Sequence, residues 1–386
     1  MLPYMRSKLI AHPLKLVQGQ NLLSSKVIVP FRKFHNIASA TIIRDKYSTL
    51  HNFYQAPKYP IVLCHGFSGF DKLTFLPRIS ASEKAVEVAK NNLEKLLNEG
   101  VQLDYWHGIK EALGNIGSKV LIAKVPPFGR IEHRARTLEQ YIIQQCDILR
   151  KQESKSTIYR HLDLQDGHSS DRFHTFNEIN EPIKVNMISH SMGGLDSRYL
   201  ISKLQKEDSP KPYKVVSLTT IATPHHGSEC ADFVENLVGN SKILRSMCPE
   251  AIFELTTSYA KKFNDEVVDD PSVKYFSYGA KFDPRWFSLF NLTWHMLRYE
   301  VQKNRNITDP VKKFDTRMDN DGMVSVESSM WGEYLGTLDQ VDHLDLINWT
   351  NRLRVAIDKL ILNKEPHFNA IALYLDIANN LSKRGF

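Results

Sequence analysis

Five short, nearly continuous apolar runs, separated by stretches of helical spacing, constrain the fold of this 386-residue chain more than any other feature. Runs of this kind are typical of strands covered on both faces, as in a parallel sheet. Their alternation with helical patterns predicts an α/β fold with a mostly parallel central sheet flanked by helices. The predicted strands are Tyr59–Cys64, Lys119–Val125, Lys184–Ser189, Val215–Ala222 and Val273–Gly279.

The segments between these strands contain the predicted helices and one insertion. Helical spacing covers Glu83–Leu97, Arg134–Arg150 and Leu195–Leu204, and Asn348–Leu381 reads as two helices separated near Pro366. Residues 151–181 are polar and lack apolar periodicity, which predicts a surface insertion. Residues 229–300 lie where a helical cap or lid would be placed.

The net charge of +7 would favour a polyanionic partner if it were spread over the whole chain. It is not, because residues 1–44 contain seven basic residues and no Asp or Glu. The remaining residues therefore hold 43 acidic and 43 basic side chains. A neutral body argues against nucleic acid as a partner.

The basic, acid-free segment 1–44 has the composition of a mitochondrial transit peptide. Leu2, Met5 and Leu9 give a short apolar stripe beside Arg6 and Lys8. Arg32-Lys33-Phe34 resembles a processing site, which predicts removal near residue 34 and a folded domain at 45–386. The alternative is a disordered basic arm. No run approaches the ~18–20 apolar residues of a membrane-spanning helix, and none of the four cysteines forms a C-x-x-C pair.

The third apolar run, Lys184–Ser189, leads into His190-Ser191-Met192-Gly193-Gly194 and then into a helical pattern. A serine between a strand and a helix, flanked by small residues, is typical of a nucleophile held in a strained turn. The pattern usually has Gly where Ser189 stands, and Ser is small enough to replace it. Ser191 is therefore the predicted nucleophile.

A second loop follows the first predicted strand, where Cys64 precedes His65-Gly66-Phe67. A glycine at the end of an early strand lets the backbone approach the active centre closely. The backbone N–H groups of Phe67 and Met192 are the predicted oxyanion donors, since the second directly follows the nucleophile.

The acid and the base are expected downstream of the serine, in that order. Asp321 in the turn Asn320-Asp321-Gly322 is the predicted acid, with Asp319 as the alternative, and His343 is the predicted general base. His225 and His226 precede the acid and are therefore in the wrong order. His65 and His190 lie inside the two turns and are interpreted as structural.

These motifs together resemble the bacterial-type triacylglycerol lipases of the α/β-hydrolase superfamily, and most closely their fungal mitochondrial relatives. The resemblance covers residues 57–386 and is carried by residues 63–71 (LCHGFSGFD), 191–194 (SMGG), 219–228 (TTIATPHHGS), 320–322 (NDG) and 343–345 (HLD). It implies an α/β-hydrolase fold with a helical cap, a Ser191–Asp321–His343 triad, an oxyanion hole at Phe67 and Met192, and hydrolysis of acylglycerol esters.

The resemblance also raises the question of calcium, because bacterial relatives bind one ion behind the histidine. Asp345 matches one of their ligands, while Asp309 and Asp315 are only candidates for the other. Calcium takes ~6–8 oxygen ligands, so one carboxylate does not define a site. No cofactor is expected to be required, and Asp345 is equally well a structural group.

The expected partner is an acylglycerol, reached at a peripheral membrane or lipid-droplet surface. Within residues 282–299, the side chains of Trp286, Phe290, Trp294 and Leu297 fall at helical spacing, which fits either a lid or a helix packed on the core. The segment Cys248–Phe263 is a second lid candidate. Two other functions remain open, a phospholipase or lipid acyltransferase with the same triad, and an inactive hydrolase-fold binding protein.

Overall fold

A computed structural model describes residues 41–67, 105–163, 181–207, 209–239, 241–284, 288–305, 315–349 and 368–386. Seven strands in these ranges form one sheet, in the order β1-β7-β6-β5-β4-β2-β3. Every neighbouring pair is parallel, which confirms the predicted sheet type. The strands are β1 Ile42–Ile43, β2 Ile61–Cys64, β3 Val120–Ala123, β4 Ile183–His190, β5 Tyr213–Ile221, β6 Lys274–Lys281 and β7 Glu333–Asp339.

Helices connect these strands and cover the sheet. They are α1 Ile109–Asn115, α2 Ile131–Asp163, α3 Gly193–Tyr199, α4 Glu229–Val238, α5 Lys242–Met247, α6 Glu250–Phe253, α7 Thr257–Glu266, α8 Asn291–Arg305, α9 Val326–Ser329 and α10 Ala370–Lys383. A π-helical turn, Leu200–Leu204, continues α3, and a 3₁₀ turn, Asp345–Ile347, follows β7. None of the helices in the described ranges is long and apolar enough to span a membrane.

The sheet is buried on both faces, because successive side chains of each strand enter different cores. On β2, Ile61 and Leu63 join a cluster with residues of α1 and α10. Val62 and Cys64 join a second cluster with residues of α2 and the π-helical turn. This explains why the central strands are continuously apolar in the sequence.

Two strands were not predicted from the sequence, and both lie at one edge of the sheet. β7 contains Gly336 and is only partly buried, and β1 has two residues. β1 pairs with β7, and beside this strand pair Arg44 Nε forms an ion pair with Asp339 Oδ2 at 2.8 Å. The described residues from 41 onward belong to one folded unit, and β1 at Ile42–Ile43 is part of its sheet.

Helix α2 extends to Asp163, well beyond the predicted end at Arg150, so the first part of segment 151–181 is helical. The predicted cap segment 229–300 is not one continuous helical layer, because it includes β6, which is a strand of the central sheet. The predicted helix Glu83–Leu97, residues 1–40, residues 164–180 and the first of the two C-terminal helices lie outside the described residues.

Candidate active site

Four loops meet at the carboxyl edge of the sheet, where parallel α/β sheets form their sites. They follow β2, β4, β6 and β7. The loop after β4 has only two residues, Ser191 and Met192, and Ser191 has a positive φ of 55°. A non-glycine residue in this region is strained and is held by its surroundings. Ser191 N donates to Ile221 O at 3.0 Å, and Thr223 Oγ1 donates to Ser191 O at 2.8 Å.

Close backbone packing explains the small residues around the serine. A Cβ atom on Gly193 would lie 2.6 Å from Cys64 O, and one on Gly66 would lie 2.6 Å from Ser191 Cβ. Ser189 fits because its Oγ lies 2.8 Å from Ser197 Oγ in a fully buried pair. The departure from the usual glycine is therefore accommodated by a hydrogen bond.

A chain of hydrogen bonds runs from the serine through an imidazole to a carboxylate. Ser191 Oγ lies 3.0 Å from His343 Nε2, and His343 Nδ1 lies 2.7 Å from Asp321 Oδ2. Asp321 is fully buried, and its Oδ1 accepts from the N–H groups of Met323 and Val324 at 2.9 Å and 2.8 Å. These bonds fix the carboxylate so that its second oxygen faces the imidazole.

The alternative residues have other partners. Asp319 Oδ2 accepts from Asp315 N at 3.3 Å and lies 3.9 Å from Lys281 Nζ. His225 is buried, with Nε2 2.9 Å from Thr220 Oγ1, and its ring stacks on Trp331. The structure thus brings together Ser191, His343 and Asp321, and none of these alternatives contacts the serine hydroxyl in the described contacts.

The peptide that joins Gly66 to Phe67 carries the predicted oxyanion N–H, and its carbonyl is held from the opposite side. Gly66 O accepts from Arg134 Nη2 at 3.1 Å and lies 3.0 Å from His65 Nδ1. Val125 N donates to His65 Nε2 at 3.1 Å, so the proton of the neutral ring resides on Nδ1 and is donated to Gly66 O. Two donors on the carbonyl orient and polarise the Phe67 N–H of this peptide.

Arg134 is fully buried and is compensated by a single carboxylate. Its Nη2 lies 2.8 Å from Asp196 Oδ2 and 2.8 Å from His65 O. Burial raises the pKa of Asp196 to about 6 against the opposing effect of the guanidinium. Burial, followed by the charge of Arg134, lowers the pKa of His65 to about 4. Sequence analysis missed Arg134, because nothing in its local pattern indicates a partner on another loop.

Arg134→Lys is expected to lower kcat about tenfold with little change in KM. Lysine keeps the charge beside Asp196 but does not reproduce the fork that also reaches the carbonyls of His65 and Gly66. Steady-state kinetics on a soluble ester measures the change. Arg136→Lys is the control, since Arg136 is half-exposed on the same helix and pairs with Glu132. Equal losses in both variants would contradict this role.

Two of the candidate calcium ligands have hydrogen-bond partners within the protein. Asp345 Oδ2 accepts from Asp342 N at 3.1 Å, and Asp315 binds the guanidinium of Arg317 at 2.8 Å and 2.6 Å. The described part of the chain holds no group of three or more His, Cys, Asp or Glu side chains arranged for a metal ion. Asp309 lies outside it, so calcium at Asp345 stays a prediction, which calorimetry before and after chelation would test.

Comparison with known proteins agrees with this geometry. Residues 170–258 match the family described as "Putative serine esterase (DUF676)". The chain is 36% identical over 351 residues to Triacylglycerol lipase 2 of Saccharomyces cerevisiae, a match that covers 86% of this chain and 94% of the yeast protein. This chain belongs to the triacylglycerol lipase family.

Bacterial members of the same family are more distant. The triacylglycerol lipase of Burkholderia plantarii is 27% identical over 201 residues, which is 52% of this chain and 39% of that protein. The triacylglycerol lipase of Pseudomonas fragi is 23% identical and covers 85% of this lipase-family chain. Among solved structures, lipase 1 from Pelosinus fermentans has a TM-score of 0.49 at 20% identity, over 85% of this chain and 99% of that one. The parallel seven-stranded sheet with helices on both faces confirms the fold class that the sequence predicts, the α/β-hydrolase fold.

The aromatic stripe of this lipase-family chain packs inward where the structure describes it. Leu297 is fully buried, and Trp294 Nε1 donates to Phe282 O at 3.0 Å. The ring of Phe290 lies 6.3 Å from that of His343. Trp286 is outside the described residues. The described part of the stripe is therefore a helix packed beside the active site, as the second of the two interpretations predicts.

Proposed function

We propose that this chain hydrolyses acylglycerol esters with Ser191 as the nucleophile. The observation that carries the proposal is the hydrogen-bonded chain Ser191–His343–Asp321, with its two distances of 3.0 Å and 2.7 Å. Family membership supports the substrate class, because the yeast relative at 36% identity is named a triacylglycerol lipase. Pocket shape decides among acyl substrates, so the triad alone does not distinguish a triacylglycerol from a phospholipid.

The geometry supports a two-step mechanism. His343 Nε2 takes the Ser191 proton as Oγ attacks the ester carbonyl, and the imidazolium then gives this proton to the departing glyceride alkoxide. Asp321 holds the imidazole with its proton on Nδ1 and stabilises the imidazolium. The N–H groups of Phe67 and Met192 would bind the oxyanion of each tetrahedral intermediate. Water, deprotonated by His343, then attacks the acyl-enzyme carbonyl, and the imidazolium returns this proton to Ser191 Oγ as the fatty acid leaves.

The test combines covalent trapping with substrate comparison. An alkyl phosphonate ester that phosphonylates activated serines is expected to label Ser191, as located by peptide mass spectrometry. Hydrolysis of triacylglycerol, diacylglycerol and phospholipid is then compared, with Ser191→Ala as the blank. Labelling at another residue, or equal rates with Ser191→Ala, would contradict the proposal. Faster phospholipid hydrolysis would assign a phospholipase, and no turnover of any ester would assign a binding protein.

We also propose that helix α5 and its neighbours contact the lipid surface. Ile243 and Met247 on α5 are 75% and 76% exposed, and Leu237 at the end of α4 is 71% exposed. On α8, Leu292 is 70% exposed. Cys230 of α4 lies 3.2 Å from Thr293 O of α8 and 3.9 Å from Gly322 O, so α4 and α8 meet beside the Asp321 turn. Apolar side chains beside the site would enter an acyl layer.

The double variant Ile243→Ser and Met247→Ser is expected to lower hydrolysis of an emulsion at least about thirtyfold, because the two lost side chains together forfeit roughly 2–4 kcal/mol of burial in lipid. Hydrolysis of a soluble short-chain ester should stay within twofold. The matched control is Leu50→Ser and Phe53→Ser, which are 53% and 77% exposed outside this surface. If the emulsion rate falls equally in both double variants, α5 has no special role.

The composition of residues 1–44 supports a further proposal, that this segment directs the chain to mitochondria. A fluorescent protein fused behind residues 1–50 is expected to co-localise with a mitochondrial dye. A fusion in which the basic residues of segment 1–44 are replaced with glutamine should remain in the cytosol. Cytosolic fluorescence of the unchanged fusion would contradict the proposal.

A further inference from the structure

A tyrosine and a second histidine lie directly behind the Ser191–His343 pair. Tyr105 precedes α1, and His190 is the last residue of β4. Tyr105 Oη accepts from Gly66 N at 3.0 Å and lies 2.7 Å from His190 Nδ1. The ring of His190 lies 4.5 Å from the ring of His343, centroid to centroid. One hydroxyl therefore connects the oxyanion loop to an imidazole that packs on the catalytic base.

The hydrogen-bond partners of Tyr105 favour one state of His190. The Tyr105 hydroxyl has one hydrogen, and among its contacts in the described structure only His190 Nδ1 can accept it, because the Gly66 N–H is itself a donor. A ring that accepts at Nδ1 is neutral with its proton on Nε2. A protonated His190 would instead aim a second donor at Tyr105 Oη. The hydrogen bond from Tyr105 thus opposes a positive charge on this ring, against the opposing effect of the His343 backbone.

The surroundings of His190 act in the same direction. The ring is 1% exposed, and burial, followed by the neighbouring His343 imidazole, lowers its pKa well below 6.5. The titratable and charged groups around His190 are Tyr105, His343, His65 and Arg134. The His65 ring lies 5.4 Å from that of Tyr105, and Arg134 acts on Tyr105 through its charge. Because Arg134 is a cation, it also disfavours a second positive charge here.

We propose that Tyr105 and His190 are a positioning pair, which keeps a neutral imidazole against His343 and holds the Gly66 N–H of the oxyanion loop. This inference rests on the proposed esterase function of Ser191. During acyl transfer His343 becomes an imidazolium, and a neutral ring beside it causes no charge repulsion. The same hydroxyl fixes the backbone one residue before the Phe67 N–H. Neither residue donates or accepts the reacting proton.

Tyr105→Phe is expected to lower kcat about tenfold with KM within twofold, because it removes two hydrogen bonds and leaves the buried Gly66 N–H without its partner. The acid limb of the kcat/KM profile should move to higher pH, since His190 Nδ1 then becomes free to bind a proton. The matched control is Tyr374→Phe, because this hydroxyl is equally buried but has no hydrogen-bond partner in the described structure. Its kcat and pH profile should be unchanged.

Substitutions of His190 separate a pair from two independent packing roles. His190→Asn retains an acceptor near the Nδ1 position and should keep more activity than His190→Leu. Combining Tyr105→Phe with His190→Leu should lower kcat less than the product of the two single losses. The pair is refuted if Tyr105→Phe keeps the wild-type kcat and profile, if both His190 variants lose equally, or if the losses multiply. Phosphonate labelling of Ser191 in each variant shows that the esterase function itself is intact, so the two proposals can fail separately.

Discussion

Asp321→Asn is expected to lower kcat by about 10⁴ while leaving KM nearly unchanged. Asp321 Oδ1 accepts two backbone N–H groups, so an asparagine in this place keeps its oxygen there and turns its NH₂ toward His343. An NH₂ group facing Nδ1 favours the tautomer with the proton on Nε2. That proton would point at Ser191 Oγ, and the imidazole could not accept the serine proton.

Asp319→Asn is the matched control for this experiment, since Asp319 was the alternative acid and lies in the same turn. Its kcat should remain within about threefold of wild type, because its partners in the structure are Asp315 N and Lys281. Burst kinetics with a soluble ester, corrected with Ser191→Ala, measures both variants. A large loss in Asp319→Asn with a small loss in Asp321→Asn would reverse the assignment.

The free energy of unfolding is expected to fall by about 3 kcal/mol between pH 7 and pH 5.5, because three histidines are buried in their neutral form. The pKa values of His65, His190 and His225 are all lowered, mainly by burial. Below pH 6.5 the unfolded chain binds protons at these side chains that the folded chain does not bind. Stability present above pH 6.5 is therefore lost as the pH falls toward the folded pKa values.

The carboxyl group of Asp196 acts in the opposite direction, and the expected fall in the free energy of unfolding already includes its contribution. Burial raises the pKa of Asp196 to about 6, so below that pH the folded protein takes up a proton before the unfolded chain does. Acidification through this window therefore adds stability at Asp196 while it removes stability at the three histidines. The net proton balance still favours the unfolded chain.

Equilibrium unfolding in denaturant at pH 7, 6.5, 6 and 5.5 measures the pH dependence. His225→Gln removes one titrating imidazole and should reduce the loss of stability over this range by about a third. His226→Gln is the control, since His226 is next to His225 in the chain but is exposed on the surface. A free energy of unfolding that is constant or rises on acidification would show that these histidines are not held neutral.

Sequence reasoning predicted those parts of the site that depend on local chain geometry. Ser191 could be identified because a buried strand, small flanking residues and a helix are adjacent in the chain and together impose its positive φ. Asp321 and His343 followed from chain order and turn residues. The structure brings these three side chains into hydrogen-bond contact, although they come from loops after three different strands.

The supporting residues could not be predicted, because their roles depend on contacts between distant segments. Arg134 lies in a helix whose pattern indicates only a packed face, yet its guanidinium binds the Gly66 carbonyl in the loop after β2. Tyr105 contacts His190 across 85 residues of sequence. Strand β7, the second strand from the edge, was missed because a partly buried strand with a glycine carries a weak pattern.

By itself, the sequence determined the parallel α/β sheet, singled out Ser191 as the candidate nucleophile and confined the excess positive charge to residues 1–44. These features depend on periodicity, turn chemistry and composition, which are local properties of the chain. Only the tertiary structure decided which carboxylate faces His343, which donors hold the Gly66 carbonyl and where the edge of the sheet lies. Hydrogen-bond partners buried far apart in sequence are selected by packing, and packing is fixed only when the sheet and its loops are assembled.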